Sequence, residues 1–144
     1  MDSNKTKSCK GEIILYQPNE SLKLEVQIEN DTVWLTQQQM AELFLTTKQN
    51  VSLHINNIFK EQELSQHSVV KDFLTTASDG KKYKTKYYNL DVIISVGYRV
   101  KSQKGVLFRR WANEILKEYL MKGIAINQRI ASLENRVEEK FIKY

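Results

Sequence analysis

The chain has few of the residues that interrupt or cross-link a fold. Its 144 residues include five glycines, one proline and one cysteine. So few glycines and prolines argue against long flexible linkers, and the lone thiol of Cys9 cannot form an intramolecular disulfide. A single cysteine is typical of a reducing compartment, so we predict a cytoplasmic protein. The length suits one domain that buries a core without disulfides or metal.

Signals for export, membrane insertion and catalysis are also missing. Residues 1–11 carry charge with no apolar run behind them, and no stretch approaches the roughly 18 apolar residues of a membrane span. His54 and His67 stand alone, and no Gly-rich phosphate loop is present. No acid, base and nucleophile occur together. We therefore expect no enzyme, and no metal site, cofactor, membrane contact or small-molecule substrate.

The whole chain has a formal net charge of +5. Its positive charge is concentrated in the second half. Residues 20–43 carry one lysine against five acidic residues. By contrast, residues 71–86 carry five lysines against two aspartates, and residues 95–122 carry seven basic residues against two glutamates. This distribution favours an anionic partner for the second half.

Alternating apolar and polar residues predict strands in the first part of the chain. Three runs have this character: residues 13–17, 22–30 and 32–36. Turns are predicted at Pro18-Asn19 and at Asn30-Asp31.

Two short helices with recognisable caps are predicted next. Thr36 followed by Gln39, and Thr46 followed by Gln49, fit capping boxes for helices at about 37–44 and 47–60. The buried positions are predicted from helical spacing: Met40, Ala41 and Phe44 in the first helix, and Val51, Ile55, Ile58 and Phe59 in the second. The short connection is typical of a helix-turn-helix. A standard turn would place Leu45 in the left-handed region, at a cost of roughly 1–2 kcal/mol.

The face of the second helix opposite its apolar stripe is polar and suits DNA recognition. The predicted contact residues are Thr47, Lys48, Gln49, Ser52, Leu53 and Asn56. Lysine and glutamine can hydrogen-bond base edges, and an exposed leucine can contact a thymine methyl. The helix dipole favours phosphate at its N-terminus. The alternative of two helices that only pack in a small core stays open.

A lysine-rich hairpin is predicted within residues 68–89. Asp79-Gly80 indicates a two-residue type I′ turn, which needs positive φ at both positions. In the second strand, Lys81, Lys82 and Lys84 are candidates for phosphate contacts that carry no sequence information. The same lysines fit a solvated edge strand that is protected against aggregation.

Helices are predicted for the rest of the chain, at 90–100 with Asn89 as N-cap and at about 103–121. In the tail, 4-3-4 apolar spacing fits a short coiled-coil-like helix that could join two copies. A basic cluster surrounds the turn between the two helices and includes Arg99, Arg109 and Arg110. On spacing alone, this cluster fits a solvated surface or a nucleic-acid backbone contact.

Four segments together resemble the RhuM family of bacterial virulence-associated proteins, over about residues 33–126. They are WLTQQQMAELF, NIFKEQEL, SDGKKYKTKYYNLDVIISVGYRV and FRRWANEILKEYLMKG. The resemblance implies a bacterial protein without a settled molecular activity. NLDVIISVGYRV and FRRWANEILKEYL are more loosely similar to the Bro-N domain of phage and viral antirepressors, which binds DNA. That similarity implies that Arg99, Arg109 and Arg110 belong to a nucleic-acid surface.

Two departures from the RhuM pattern matter. Leu45-Thr46-Thr47 stands where RhuM-like sequences tend to have Gly-x-Ser, and family members are commonly longer. The chain therefore resembles an N-terminal domain or a short version.

Together these features predict an α+β fold with N-terminal β-strands, a winged helix-turn-helix and a C-terminal helical part. The predicted boundaries are a disordered tail at 1–11, the winged helix-turn-helix-like domain at 12–122, and a C-terminal helix at 123–144 for oligomerisation or as a truncated linker. The predicted function is binding of double-stranded DNA as a transcriptional regulator or antirepressor-like factor, with a homodimer formed through the C-terminal helix. The alternative is a protein-interaction module of a virulence or phage-derived system that keeps the helix-turn-helix only as scaffold.

Overall fold

The computed structural model describes residues 12–122. A first compact unit ends at Arg110 and a second begins at Trp111. Residues 111–122, the described part of the second unit, are helical. The described elements of the first unit are β1 (Glu12–Asn19), β2 (Leu22–Glu29), β3 (Thr32–Leu35), α1 (Gln37–Phe44), α2 (Lys48–Lys60), α3 (Gln66–Val69), β4 (Val70–Thr76), β5 (Lys82–Asn89), α4 (Leu90–Arg99) and α5 (104–110).

These elements confirm the predicted α+β class. The helix predicted from 103 to 121 is present over residues 104–122, and α4 ends one residue before its predicted end. The short α3 was not predicted. The predicted tail at 1–11 and the helix at 123–144 lie outside the described residues, and the domain boundaries stay a prediction.

The five strands form one antiparallel sheet in the order β1-β2-β3-β5-β4. Because side chains alternate between the faces of a strand, Val26, Ile28, Leu35 and Tyr88 share one face, and all four are buried. The helices cover this face: Gln37 Nε2 in α1 donates to the Tyr88 hydroxyl oxygen at 3.0 Å. We call it the helix-bearing face.

The turn between β2 and β3 is confirmed, and the turn between β1 and β2 lies later than predicted. Asn30 and Asp31 have φ of 55° and 61°, as a two-residue type I′ turn requires. β1 continues through Pro18 to Asn19, and the turn falls at the next two residues. Asn19 determines this position, because its Oδ1 accepts from the backbone N–H groups of Ser21 and Leu22.

The hairpin between β4 and β5 is present, but its turn is not type I′. Positive φ occurs at Gly80 (83°) and not at Asp79. The N–H of Gly80 donates to the carbonyl of Ala77, whose own N–H donates to the carbonyl of Lys81. This pattern is a three-residue loop, with a type I turn followed by a glycine in the left-handed region. The Asp79 carboxylate supports it by accepting from the backbone N–H of Lys81, and this bond lowers the Asp79 pKa.

The helix caps explain where α1 and α2 begin. The predicted capping box of α1 is confirmed, with Thr36 and Gln39 each accepting from the other's backbone N–H. The second predicted capping box, between Thr46 and Gln49, is wrong. Thr47 is the N-cap of α2 and accepts from the N–H of Asn50, whose side-chain amide donates to the Thr46 hydroxyl. α2 therefore starts at Lys48, one residue later than predicted.

The core packs the end of α1 closely against the end of α4 and the start of α5. The predicted inward residues of α1 and α2 are buried, although Phe59 is only half-buried. A Cβ added at Gly97 would lie 3.0 Å from Cζ of Phe44, and one at Gly105 would lie 3.4 Å from Cε1 of the same ring. The Phe44 ring therefore occupies space that only a residue without a side chain leaves free at Gly97.

Leu45 adopts the left-handed conformation that a standard three-residue turn requires, with φ 57° and ψ 50°. Its side chain is 76% exposed, so the burial of this side chain offsets little of the backbone strain. We predict that Leu45→Gly raises the free energy of unfolding by about 1 kcal/mol, measured by urea denaturation.

The matched control is Leu53→Gly, the same exchange at an exposed leucine within α2. There the glycine should lower the free energy of unfolding by about 0.5–1 kcal/mol, because the backbone is helical. If both variants were destabilised alike, the assignment of strain to Leu45 would be wrong.

Candidate nucleic-acid interface

The outer surface of α2 is polar because its apolar stripe faces the core. Val51, Ile55 and Ile58 are fully or almost fully buried. The residues predicted to contact DNA occupy the remaining surface: Thr47, Lys48, Gln49, Leu53 and Asn56 are exposed, and Ser52 is half-buried. Leu53 keeps 55% of its surface exposed. An exposed apolar side chain among hydrogen-bonding groups resembles the mixed chemistry of a major-groove surface.

The first turn of α2, which follows the connection from α1, is exposed to solvent. Three residues, from Leu45 to Thr47, separate the last residue of α1 from the first of α2. The Thr47 hydroxyl is engaged as the N-cap, whereas Lys48 and Gln49 in the first turn are exposed. The first turn of α2 thus presents two long polar side chains beside the positive end of the helix dipole.

The lysines of the hairpin lie on the helix-bearing face. Lys82 and Lys84 are separated from Tyr88 by even numbers of residues in β5, so all three point to one face of the sheet. Both lysines are exposed, and Lys81 is exposed in the turn. Lys86 continues the row, is also exposed, and was not among the predicted contact residues. Its spacing of two from Lys84 was the sequence signal that could have identified it.

The opposite face of the sheet has a different character. Trp34, Phe73 and Tyr87 form an aromatic cluster there, with the Phe73 and Tyr87 ring centroids 4.7 Å apart. Lys71 Nζ lies 2.6 Å from the Glu29 carboxylate, so this lysine is held within the fold. Burial and the nearby Glu25 carboxylate raise the pKa of Tyr87. Glu25 and Glu29 therefore lie across the sheet from the lysine row, whereas the exposed Asp72 is paired with Lys86 on the same face as the row.

The predicted basic cluster divides into two parts. Arg109 and Arg110 in α5 are exposed. Arg99 instead forms ion pairs through Nη2 with Glu61 at 2.8 Å and with Glu63 at 2.7 Å, and Ser95 donates a further hydrogen bond to Glu63. The hydrogen bond from Arg99, followed by that from Ser95, lowers the pKa of Glu63. The structure thus places Arg99 in an intramolecular cluster and leaves the other two arginines facing solvent.

Comparison with protein families identifies the family to which the chain belongs. Residues 68–143, just over half of the chain, match the Virulence protein RhuM family. The chain belongs to this family, as the sequence resemblance predicted. The looser similarity to the Bro-N domain is not confirmed. Family membership suggests a virulence-associated protein and names no molecular activity.

The other two comparisons give no match: neither curated proteins nor solved structures contain a significantly similar chain. Within the described residues, no helix combines the length and the apolar character needed to cross a membrane.

Proposed function

We propose that this protein binds duplex DNA through a winged helix-turn-helix formed by β3, α1, α2, β4 and β5. The pairing of the strands supports this assignment. β3 precedes the two helices and pairs with β5, and β4 pairs with the other side of β5. The helix pair is therefore flanked by a three-stranded sheet whose last two strands form the lysine-rich hairpin, as in a helix-turn-helix with a wing.

One observation carries the proposal: an exposed polar helix face and an exposed row of lysines occur on the same side of the sheet. α2 packs against α1, which lies over the helix-bearing face, and Lys82, Lys84 and Lys86 extend from that face. A helix with free polar side chains suits base edges in the major groove, and lysines suit phosphates. The acidic groups Glu25 and Glu29 lie on the opposite face, where they would not oppose DNA.

In this proposal the residues have distinct roles. Lys48 and Gln49 hydrogen-bond base edges, Leu53 contacts a thymine methyl, and Asn56 extends the contact along the groove. Lys81, Lys82, Lys84 and Lys86 contact phosphates, as do Arg109 and Arg110. A transcriptional regulator or antirepressor-like factor of this kind would join two copies through the C-terminal segment for which the sequence predicts a helix, because palindromic half-sites need a two-fold protein.

The second candidate function is that of a protein-interaction module. It is favoured by β1, an edge strand of the described sheet, on which Ile13 and Leu15 are 61% and 46% exposed. An edge with exposed apolar side chains can accept a strand from another protein. Salt separates the two functions, because DNA binding through lysines weakens steeply with salt.

The test of the proposed function is the double variant Lys48→Ala/Gln49→Ala. The probe is the duplex that the wild-type chain enriches from a random-sequence library. We expect affinity for this duplex to fall about 10- to 30-fold, because base-edge hydrogen bonds are lost. Affinity for an unrelated duplex should change much less. Fluorescence anisotropy with labelled duplexes measures both affinities.

The control for this test is Gln17→Ala/Lys23→Ala, which removes the same two residue types at exposed positions on β1 and β2. It should bind like the wild type. Equal affinities for the α2 variant and the wild type would overturn the groove assignment. If no duplex were retained even at low salt, the protein-interaction module would be the better description.

A further inference from the structure

The C-terminal end of α2 contains an electrostatic conflict. The helix ends in a Schellman-type cap, in which Gln62 has φ 62° and the N–H of Glu63 donates to the carbonyl of Ile58. Glu61 and Glu63 flank this strained residue on either side. A helix C-terminus carries partial negative charge, so two carboxylates at this position are unfavourable by themselves.

Arg99 resolves this conflict from a neighbouring helix. It is the last residue of α4, and its guanidinium contacts both carboxylates at once. Ser95, one turn earlier in α4, donates to the second oxygen of Glu63 at 2.9 Å. The Arg99 side chain is only 21% exposed. Three hydrogen bonds therefore join the end of α2 to one side of α4.

We infer that Arg99 is a positioning residue for α2, which sets the angle of the helix proposed to enter the groove, and that it makes no DNA contact itself. The inference rests on the proposed function. Its Nη2 atom donates hydrogen bonds to Glu61 and Glu63, and the two carboxylates neutralise the charge of the guanidinium. This role differs from the phosphate contact that the basic cluster predicts from sequence.

The two roles of Arg99 predict opposite results when the glutamates are neutralised. If Arg99 positions α2, the loss of its partners frees the helix end and weakens binding. If Arg99 contacts phosphate, the loss of two nearby negative charges releases the arginine and strengthens binding. The salt dependence also differs, because each phosphate contact contributes about 0.9 to the slope of log affinity against log salt.

The test compares Arg99→Gln, Glu61→Gln/Glu63→Gln and the triple variant on the duplex enriched by the wild-type chain. We expect the first two to bind about 3- to 10-fold more weakly, with an unchanged salt slope. The triple variant should lose little more, since all three residues act through one cluster. The ratio of affinities for the enriched and an unrelated duplex should fall, which a loss of stability alone would not cause. Circular dichroism establishes that each variant is folded.

Three results would overturn the positioning role. They are tighter or unchanged binding by Glu61→Gln/Glu63→Gln, a slope reduced by about 0.9 in Arg99→Gln, or additive losses in the triple variant. Failure of the wild-type chain to enrich or retain any duplex is a different result. It would overturn the proposed function, and the positioning role with it.

Discussion

Replacing Lys82, Lys84 and Lys86 together by glutamine is expected to lower duplex affinity about 100- to 500-fold at 0.1 M salt. All three are exposed on the helix-bearing face of β5. Each lysine that neutralises a phosphate contributes about 0.9 to the salt slope, so three should reduce it by about 2.7. The loss should be similar for every duplex sequence, because phosphate contacts carry no base information. Anisotropy titrations at several salt concentrations measure the slope.

Single variants provide the matched control for the lysine row. Each of Lys82→Gln, Lys84→Gln and Lys86→Gln should reduce the slope by about 0.9, whereas Lys23→Gln, an exposed lysine on the opposite face, should leave it unchanged. All four variants lose one unit of charge, so a general effect of net charge would appear in all of them. Equal slopes for the four variants would reject the lysine row as the phosphate contact and favour the alternative in which these lysines are only a solvated surface of the sheet.

The local elements were predictable where a short segment contains its own signals. Thr36 and Gln39 cap each other, and α1 matches its predicted bounds. Asn89 likewise caps α4 as predicted. In each case the partners lie three residues apart, so their geometry depends on local backbone alone.

Features that depend on pairing between distant segments were less predictable. The dipeptide Asp79-Gly80 is compatible with both a two-residue and a three-residue loop, and the register between Thr76 and Lys82 decides between them. The same dependence on long-range pairing applies to β3 and β5, whose contact places the lysine-rich hairpin in the same sheet as the strand that precedes α1. Alternation within β5 indicates that its lysines lie together, but not which face of the sheet the helices cover.

In the candidate site, too, local features were predictable and features that depend on distant residues were not. The polar face of α2 follows from its apolar stripe, because both belong to one helix. The role of Arg99 does not, since Glu61 and Glu63 lie 38 and 36 residues earlier in the chain. Charge counting placed Arg99 with the solvent-facing Arg109 and Arg110, and only the fold separates it from them.

Phe44→Ala is expected to lower the free energy of unfolding by about 3–5 kcal/mol, the range for deleting a buried phenyl ring. Phe44 is 5% exposed, and its ring lies against Gly97 and Gly105. The variant should also disturb the turn, because Phe44 is the last residue of α1 and immediately precedes Leu45. Urea denaturation followed by circular dichroism measures the loss.

Gly97→Ala provides the complementary test, because its effect should change sign with the residue at position 44. In the wild type the new methyl group would lie 3.0 Å from Phe44 Cζ, so overpacking should lower the free energy of unfolding by about 1–3 kcal/mol. In the Phe44→Ala background the space is open, and alanine should raise it by up to about 1 kcal/mol through better helix propensity. Phe44→Leu serves as a second background if Phe44→Ala does not fold. An unchanged sign in both backgrounds would show that the Phe44 ring does not restrict Gly97, and that α1 is held against α4 by other contacts.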